Sequence, residues 1–317
     1  MDLNYITKVA IVGAGGNSGK FMTEALLSTG KHTVTALARA GSQNKLPVGL
    51  NAKTIDYNKP ETIIEALKGQ DALIITLSGS TPHEADLALV QAAGEAGVRW
   101  ILPNEWGPDS ANPDLIKDIA IFQPKEVTRN AIADLGKSSY ISVSTGFWYE
   151  WSLAIPSAFG IDFSKKAATL FDEGETKIST STWPQVGRTV AALLSLPIQA
   201  EGTCLERLRN QVIYADSFTV SQKDMLESVF RVTGTTDKDW TITKQSARER
   251  YENGVKEMQG GDRIGFVKSL YTRVFFDDGA GNITSKGTLN GVLGLPKEDI
   301  DAATQVAIER SKSSPWS

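Results

Sequence analysis

The sequence is poor in the residues that build disulfides and imidazole sites. Its 317 residues include one cysteine, Cys204, and two histidines. A single cysteine excludes an intrachain disulfide and a thiolate metal cluster. Two histidines leave little material for a histidine metal site or a Ser-His-Asp triad. We therefore expect no metal, an inert Cys204 and a chain suited to a reducing compartment.

Long apolar runs and an excess of basic charge are also missing. No stretch approaches the roughly 18 apolar residues of a membrane span, and residues 1–8 lack the basic start and apolar run of a signal peptide. The 33 Lys and Arg against 37 Asp and Glu give a net charge of -4, which does not attract nucleic acid. We expect a cytoplasmic monomer or homodimer with no membrane or nucleic-acid partner.

Apolar runs rich in β-formers alternate with amphipathic stretches over the first 145 residues, which is the pattern of βαβ units in a parallel sheet. Residues 72–77 form a nearly continuous apolar run, as a strand covered by helices on both faces requires. After Gly146 aromatic residues crowd together. We predict an α/β fold: a Rossmann doubly wound parallel sheet in residues 1–146, to which a later strand is a candidate to return, and a smaller C-terminal α+β substrate-binding region in 147–317. The predicted strands are 9–14, 33–39, 53–56, 72–77, 98–103 and 139–145.

The most specific motif is the glycine-rich loop after the first predicted strand. Its glycines allow a tight turn, a close approach of the backbone to a pyrophosphate, and close packing of helix on strand. Free N–H groups at the following helix start attract the anion. A dinucleotide site is therefore predicted. Its expected contacts are Gly13, Gly15, Gly16, Asn17, Ser18 and Gly19 in the loop, with Asp56, Thr76, Leu77, Ser78, Asn104, Gly146 and Phe147 elsewhere.

The end of the second predicted strand indicates which dinucleotide binds. In NAD-binding chains an acidic residue there accepts a hydrogen bond from the ribose 2′-OH. Here the strand ends in Arg39 with no acid nearby, and a guanidinium suits bidentate contact with a 2′-phosphate. Lys45 in the following loop supplies a second positive charge. NADP(H) is therefore predicted, the alternative being that Arg39 is a solvated strand-end residue.

The proton donor is expected to be a lysine. No tyrosine is followed by a lysine at the fourth position, so the usual Tyr-Lys pair of short-chain dehydrogenases is absent. Lys125 begins a helix after the fifth predicted strand, where the helix dipole and partial burial lower its pKa. Glu105 follows the same strand, where an acid orients a lysine or a substrate hydroxyl. Both are predicted catalytic residues, and a solvated helix lysine and a surface turn are the alternatives.

A cluster of aromatic residues follows the last predicted strand. With two further tryptophans it is a candidate wall for an aromatic substrate, and plain core packing is the alternative. One histidine at a predicted helix start faces the cofactor edge. The candidate substrate contacts are Trp106, Phe147, Trp148, Trp151, Trp183 and His83.

Together these residues resemble the NmrA-like, isoflavone-reductase-like branch of the atypical short-chain dehydrogenases/reductases. The resemblance rests on glycines 13, 16 and 19 of the loop, on Arg39, on residues 56–57 and 66–71, on residues 97–107, on Lys125 and on residues 290–295.

The resemblance implies a Rossmann domain that binds NADPH with its phosphates on the glycine loop and its 2′-phosphate on Arg39 and Lys45. It also implies that Lys125 lies next to the nicotinamide and takes part in proton transfer. Asn104 and Trp106 stand where the plant reductases of this family have Ser and Phe, so their phenylpropanoid substrates do not carry over.

Three functions remain open on the sequence. The first is an NADPH-dependent reductase of an aromatic or polycyclic small molecule, with Lys125 as proton donor or orienting group. The family includes members of secondary metabolism, and this reductase is expected to belong there. The second is an NADP-sensing regulator without turnover that binds a protein partner. The third is an NADP-bound enzyme in which Lys125 and Glu105 direct a redox-neutral rearrangement.

Overall fold

The computed structural model describes residues 4–313. Its first half alternates strands with helices, as the sequence predicts. The elements are β1 (Lys8–Val12), α1 (Gly19–Ser28), β2 (Thr33–Arg39), β3 (Asn51–Ile55), α2 (Pro60–Leu67), β4 (Ala72–Ile75), α3 (His83–Ala96), β5 (Trp100–Leu102), α4 (Pro113–Asp118), α5 (Gln123–Asp134) and β6 (Ser139–Ser144).

The second half mixes short strands with helices of four to thirteen residues. Its elements are β7 (Phe147–Trp148), α6 (Tyr149–Ser152), α7 (Pro156–Phe159), β8 (Ile161–Asp162), β9 (Ala167–Phe171), β10 (Ile178–Ser181), α8 (Trp183–Leu194), β11 (Gln211–Tyr214), β12 (Phe218–Val220), α9 (Gln222–Thr233), β13 (Thr241–Gln245), α10 (Ala247–Gln259), α11 (Arg263–Arg273) and α12 (Ile300–Ser311).

The central sheet has seven parallel strands in the order β11-β6-β5-β4-β1-β2-β3. The chain runs outward from β1 through β2 to β3, and then returns to β4 on the other side of β1. Ligands of such open sheets bind outside the carboxyl ends of the strands at this switch point. The predicted Rossmann doubly wound fold is confirmed, and β11 joins its edge from beyond residue 146.

Helices cover both faces of this sheet. Leu73, Ile74 and Ile75 of β4 are fully buried, and burial of each such side chain stabilises the fold by about 1.5–3 kcal/mol. One face packs against α1 and α8, and the other against α2, α3 and α5. Continuous burial on both faces explains why β4 reads as an apolar run without alternation.

The C-terminal region holds two three-stranded sheets, β12-β10-β7 and β13-β9-β8. These strands are two to five residues long, and the sequence does not predict them, because strands and helices do not alternate in this region as they do in βαβ units. They enclose a separate core that includes Tyr149, Phe159 and Phe275. The model thus has the predicted smaller α+β region. In residues 4–313 no helix is long and apolar enough to cross a membrane.

Candidate functional site

A cleft of about 540 Å³ opens at the switch point of the central sheet. The glycine loop and the end of β2 form one wall, and the segment after β6 closes the cleft together with the start of α11. No Asp or Glu is among its lining residues, and its two charged side chains are Arg39 and Arg263. The lining consists of residues 12–18, 37–39, 76–79, Ser42, Asn44, Leu46, Tyr57, Thr81, Trp148, Trp151 and Arg263.

The glycine loop leaves no room for side chains. A Cβ on Gly13, which has φ +83°, would lie 2.1 Å from the carbonyl oxygen of Thr76, and one on Gly19 would lie 2.1 Å from the carbonyl oxygen of Gly13. The backbone N–H groups of Asn17 and Ser18 donate to no residue that the structure describes. Free N–H groups at a helix start, in a cradle that a Cβ would fill, fit a pyrophosphate.

Arg39 and Lys45, which the sequence pairs as 2′-phosphate ligands, lie differently. Arg39 is exposed at the end of β2 and lines the cleft. Lys45 is exposed and not part of the lining, although its backbone oxygen would be 2.6 Å from a Cβ on Gly15. Asp56 also lies outside the lining, with Oδ1 accepting from the N–H of Asn58 at 3.0 Å.

Lys125 lies in the first turn of α5, at the carboxyl edge of the sheet. Its Nζ donates to the carbonyl oxygen of Asn104 at 2.6 Å, and the amide of Asn104 donates in turn to the carbonyl oxygen of Leu77 at 3.1 Å. Burial lowers the pKa of Lys125, while the charges of Asp86 and Glu105 oppose that shift. The lysine, Asn104 and the lining residue Leu77 therefore form one hydrogen-bonded chain to the cleft.

Glu105 is buried in a polar network behind Lys125. Its Oε2 pairs with Nη1 of Arg129 at 2.5 Å and accepts a short hydrogen bond from Ser110. Its Oε1 accepts from Ser142 at 3.1 Å. Burial raises the pKa of Glu105, and the Arg129 guanidinium opposes the rise. Both carboxylate oxygens are thus occupied by protein groups and do not reach the cleft.

The predicted aromatic wall divides into a lining and a support. Trp148 and Trp151 line the cleft, and Trp183 packs behind them with ring centroids 5.8 and 5.7 Å away. Trp106 is buried elsewhere, where its Nε1 donates to the carbonyl oxygen of Ile75 at 2.8 Å. The core-packing alternative therefore describes the place of Trp106.

Phe147 and the preceding Gly146 are buried. The Phe147 ring stacks on Tyr271 at 4.1 Å. Gly146 has φ +64°, and a Cβ there would lie 1.9 Å from the carbonyl oxygen of Ser179, so the chain passes β10 too closely for a side chain.

His83 lies within 2.8 Å of Thr128 on α5. The predicted site residues outside the cleft lining are Gly19, Lys45, Asp56, Asn104, Glu105, Trp106, Lys125, Gly146, Phe147, Trp183 and His83.

The residues near the site that the sequence does not predict include three titratable ones. Tyr57 and Arg263 line the cleft, and Asp86 is a buried acid on α3 whose charge acts on Lys125. Tyr57 stood in the predicted region after the third strand, and position after a parallel strand was a usable signal. Nothing local marks Arg263 or Asp86, because only packing between helices brings them to the site.

Sequence comparisons show the family of this chain. The model of the NmrA-like family matches residues 6–213. Oxidoreductase aprR of Aspergillus flavus is 30% identical over 93% of this chain and 96% of its own. The chain therefore belongs to the NmrA-like family.

Solved structures share the fold at low sequence identity. An isoflavone reductase has a TM-score of 0.72 at 19% identity, covering 93% of this chain and 97% of its own. The leucoanthocyanidin reductase–NADPH complex from Vitis vinifera has a TM-score of 0.70 at 16% identity, covering 95% and 99%. These structures show that the fold is shared, and the predicted resemblance to the NmrA-like family is confirmed by the family model and by the Aspergillus flavus relative.

Proposed function

We propose that this protein is an NADP(H)-dependent oxidoreductase that reduces an aromatic or polycyclic small molecule of secondary metabolism. One observation carries the proposal: the cleft at the switch point is lined by the glycine loop and by Arg39, and by no carboxylate. A dinucleotide with a 2′-phosphate matches that charge pattern. The related protein from Aspergillus flavus is named an oxidoreductase, and the Vitis vinifera neighbour is a complex with NADPH.

The cofactor would be held by backbone at one place and by charge at another. The free N–H groups of Asn17 and Ser18 bind the pyrophosphate, and Arg39 binds the 2′-phosphate. When bound, NADPH supplies the hydride, and the protein supplies position and electrostatics.

Lys125 is the proposed proton donor. Asn104 holds its Nζ by a 2.6 Å hydrogen bond, and burial lowers its pKa, which makes the ammonium a stronger acid. As a substrate oxygen gains negative charge, Nζ donates its proton to that oxygen and solvent restores it. Glu105 is paired with Arg129 and lies outside the cleft lining. It therefore acts on Lys125 through its charge and does not contact the substrate.

The substrate would rest on Trp148 and Trp151, the two indoles that line the cleft. Aromatic side chains offer broad apolar faces for ring-shaped ligands. Trp183 supports both rings from behind. This wall favours a flat, ring-containing substrate over a small aliphatic one.

Titration of the purified protein with NADPH, NADP, NADH and NAD tests the proposal. We expect NADPH to bind at least about tenfold more tightly than NADH, since a charged hydrogen bond contributes about 1.5–3 kcal/mol. NADPH consumption with aromatic carbonyl, imine and enone substrates should then be detectable and should fall by about 10²–10⁴-fold in Lys125→Met. The exposed Lys137, just beyond α5, provides the control Lys137→Met.

Other results would point elsewhere. Tighter binding of NADP than of NADPH, with no substrate turnover, would favour the sensing regulator. Conversion of a substrate without net consumption of NADPH would favour the redox-neutral enzyme. Binding of none of the four nucleotides would overturn the dinucleotide site itself.

A further inference from the structure

Asp86 is a buried carboxylate with an unused oxygen. It lies in the first turn of α3 and is 7% exposed. Its Oδ1 is buried and accepts no hydrogen bond from any residue in the described range 4–313. Buried charged groups are ordinarily paired or hydrogen-bonded, so the burial of this carboxylate requires an explanation.

The packing of α3 on α5 brings Asp86 to Lys125. His83 of α3 lies within 2.8 Å of Thr128 of α5. Asp86 follows His83 by three residues, and Lys125 precedes Thr128 by three, so each pair shares one face of its helix. Because His83 and Thr128 are hydrogen-bonded to each other, the face of α3 that carries Asp86 and the face of α5 that carries Lys125 both lie toward the space between the two helices.

Asp86 and Lys125 interact by charge and not by a direct ion pair. Within the described residues no carboxylate oxygen lies within 4.0 Å of Nζ of Lys125, which donates to Asn104 instead. The negative charge of Asp86 nevertheless raises the pKa of Lys125 against the effect of burial, and that of Glu105 does so less. In return the positive charge of Lys125 opposes the rise that burial causes in the pKa of Asp86.

The other charged groups around this pair come from every element packed against it. Glu105, from the loop after β5, is paired with Arg129 of α5 at 2.5 Å, and Arg129 lowers the pKa of Lys125. His83 lies on the same helix as Asp86 and lowers its pKa, and the charge of Asp86 reaches Tyr57 in the cleft wall. Glu105 already has a cation of its own, whereas Asp86 has no ion-pair partner among the described residues.

We propose that Asp86 is a positioning residue for Lys125, a role that rests on the proposed function of Lys125 as proton donor. No hydrogen-bond donor among the described residues reaches Oδ1 of its carboxylate. The negative charge of Asp86 therefore acts on the ammonium of Lys125 and keeps Nζ protonated in a buried site. The proton would still pass from Nζ to the substrate oxygen. Asp86 itself exchanges no proton with the substrate.

The direct test measures protonation of Lys125 without any turnover. The rate at which an acylating reagent labels Lys125, followed by peptide mass spectrometry across pH, reports the apparent pKa of its amine. In Asp86→Asn this pKa should fall by about one unit, because a nearby opposite charge has been removed. Glu84→Gln changes an exposed acid in the same helical turn and should leave the pKa unchanged.

The same variants are then compared in the reductase assay. In Asp86→Asn the basic limb of the pH profile of kcat should move to lower pH by the same amount, with NADPH affinity within about twofold of the original. Asp86→Ala, checked by thermal unfolding, gives a second variant should the buried Asn amide disturb folding. An unshifted labelling pKa in the folded variants would overturn the proposal. A shifted pKa in a protein that oxidises no NADPH would support the coupling and count against the proposed reductase function.

Discussion

The two ends of the cleft are built by different parts of the chain. At the glycine-loop end the surface is backbone, because a Cβ on Gly13 or on the nearby Gly19 would meet a carbonyl oxygen at 2.1 Å. At the aromatic end, Trp148 and Trp151 present side chains that rest on Trp183 behind them. A backbone site tolerates almost no substitution, whereas a side-chain wall can change its ligand by exchanging rings.

Gly13→Ala should have the largest effect on cofactor binding. The added Cβ would meet the carbonyl oxygen of Thr76 at 2.1 Å, in a left-handed backbone that side chains rarely adopt. We expect the free energy of unfolding to fall by about 2–4 kcal/mol and NADPH binding to be lost, as measured by denaturant unfolding and by titration. Gly79→Ala is the control on the same cleft, since its Cβ would have only Ile121 at 3.8 Å. Equal losses in both variants would contradict a backbone-dictated loop.

Trp106→Ala and Trp148→Ala separate the core from the wall. Trp106 is buried and its Nε1 is bonded to Ile75, so its removal should lower the free energy of unfolding by about 3–5 kcal/mol. Trp148 lines the cleft, so its removal should chiefly raise the KM for an aromatic substrate. Thermal melts and steady-state kinetics of the two variants check this. A raised KM in a fully stable Trp106→Ala protein would place that residue in the substrate site after all.

Glu150 is a buried acid that contacts Trp183 at the aromatic end of the cleft. The side chain is buried and its Oε1 accepts from the N–H of Trp183 at 2.7 Å. Burial raises its pKa to about 7, with a contribution from the negative charge of Glu298. Because the folded state holds the proton more tightly than the unfolded chain, the contribution of Glu150 to stability is full below pH 4.5 and declines as the pH rises to about 7.

The Glu150→Gln variant removes this titration. The stability difference between the variant and the original protein should grow by about 3 kcal/mol, in favour of the variant, between pH 4.5 and 7.5. Unfolding by denaturant across that range measures it, and Glu175→Gln, an exposed acid, is the control. Parallel pH curves for Glu150→Gln and the original protein would show that Glu150 titrates normally.

Arg39→Ala should have the smallest effect of the four. Loss of the guanidinium should weaken NADPH binding by about 10–100-fold and leave NADH binding unchanged, because NADH has no 2′-phosphate. Lys45→Ala should weaken NADPH binding much less, since Lys45 lies outside the lining. Paired titrations of both nucleotides decide this. A larger loss in Lys45→Ala than in Arg39→Ala would reverse the assignment of the two cations.

Much of the fold is predictable from the periodicity of the apolar residues and from the Gly and Pro residues between helices and strands. Residues 72–77 read as a doubly covered strand because β4 is buried on both faces. The strand predicted at 33–39 corresponds to β2 at Thr33–Arg39. The short strands β7, β8 and β12 were not found, since two or three residues show no period.

The site was predictable in part, according to the range of the interactions involved. Six glycine-loop positions and Arg39 were identified because a local motif places them, and all but Gly19 line the cleft. The role of Trp106 was ambiguous, because an aromatic ring serves a core and a pocket equally well. The placement of residues 1–146 and 147–317 as separate functional regions stays a proposal.

The doubly wound sheet is predictable from sequence alone. So are the glycine loop at its switch point and the cation at the end of β2. These features depend on residues close together in the chain, whose periodicity and backbone freedom act locally. Three relations are visible only in the folded structure. Glu105 pairs with Arg129, Trp148 rather than Trp106 lines the cleft, and the charge of Asp86 acts on Lys125. Those relations arise where helices and loops distant in sequence pack together, and burial and charge at such junctions have no counterpart in the local pattern.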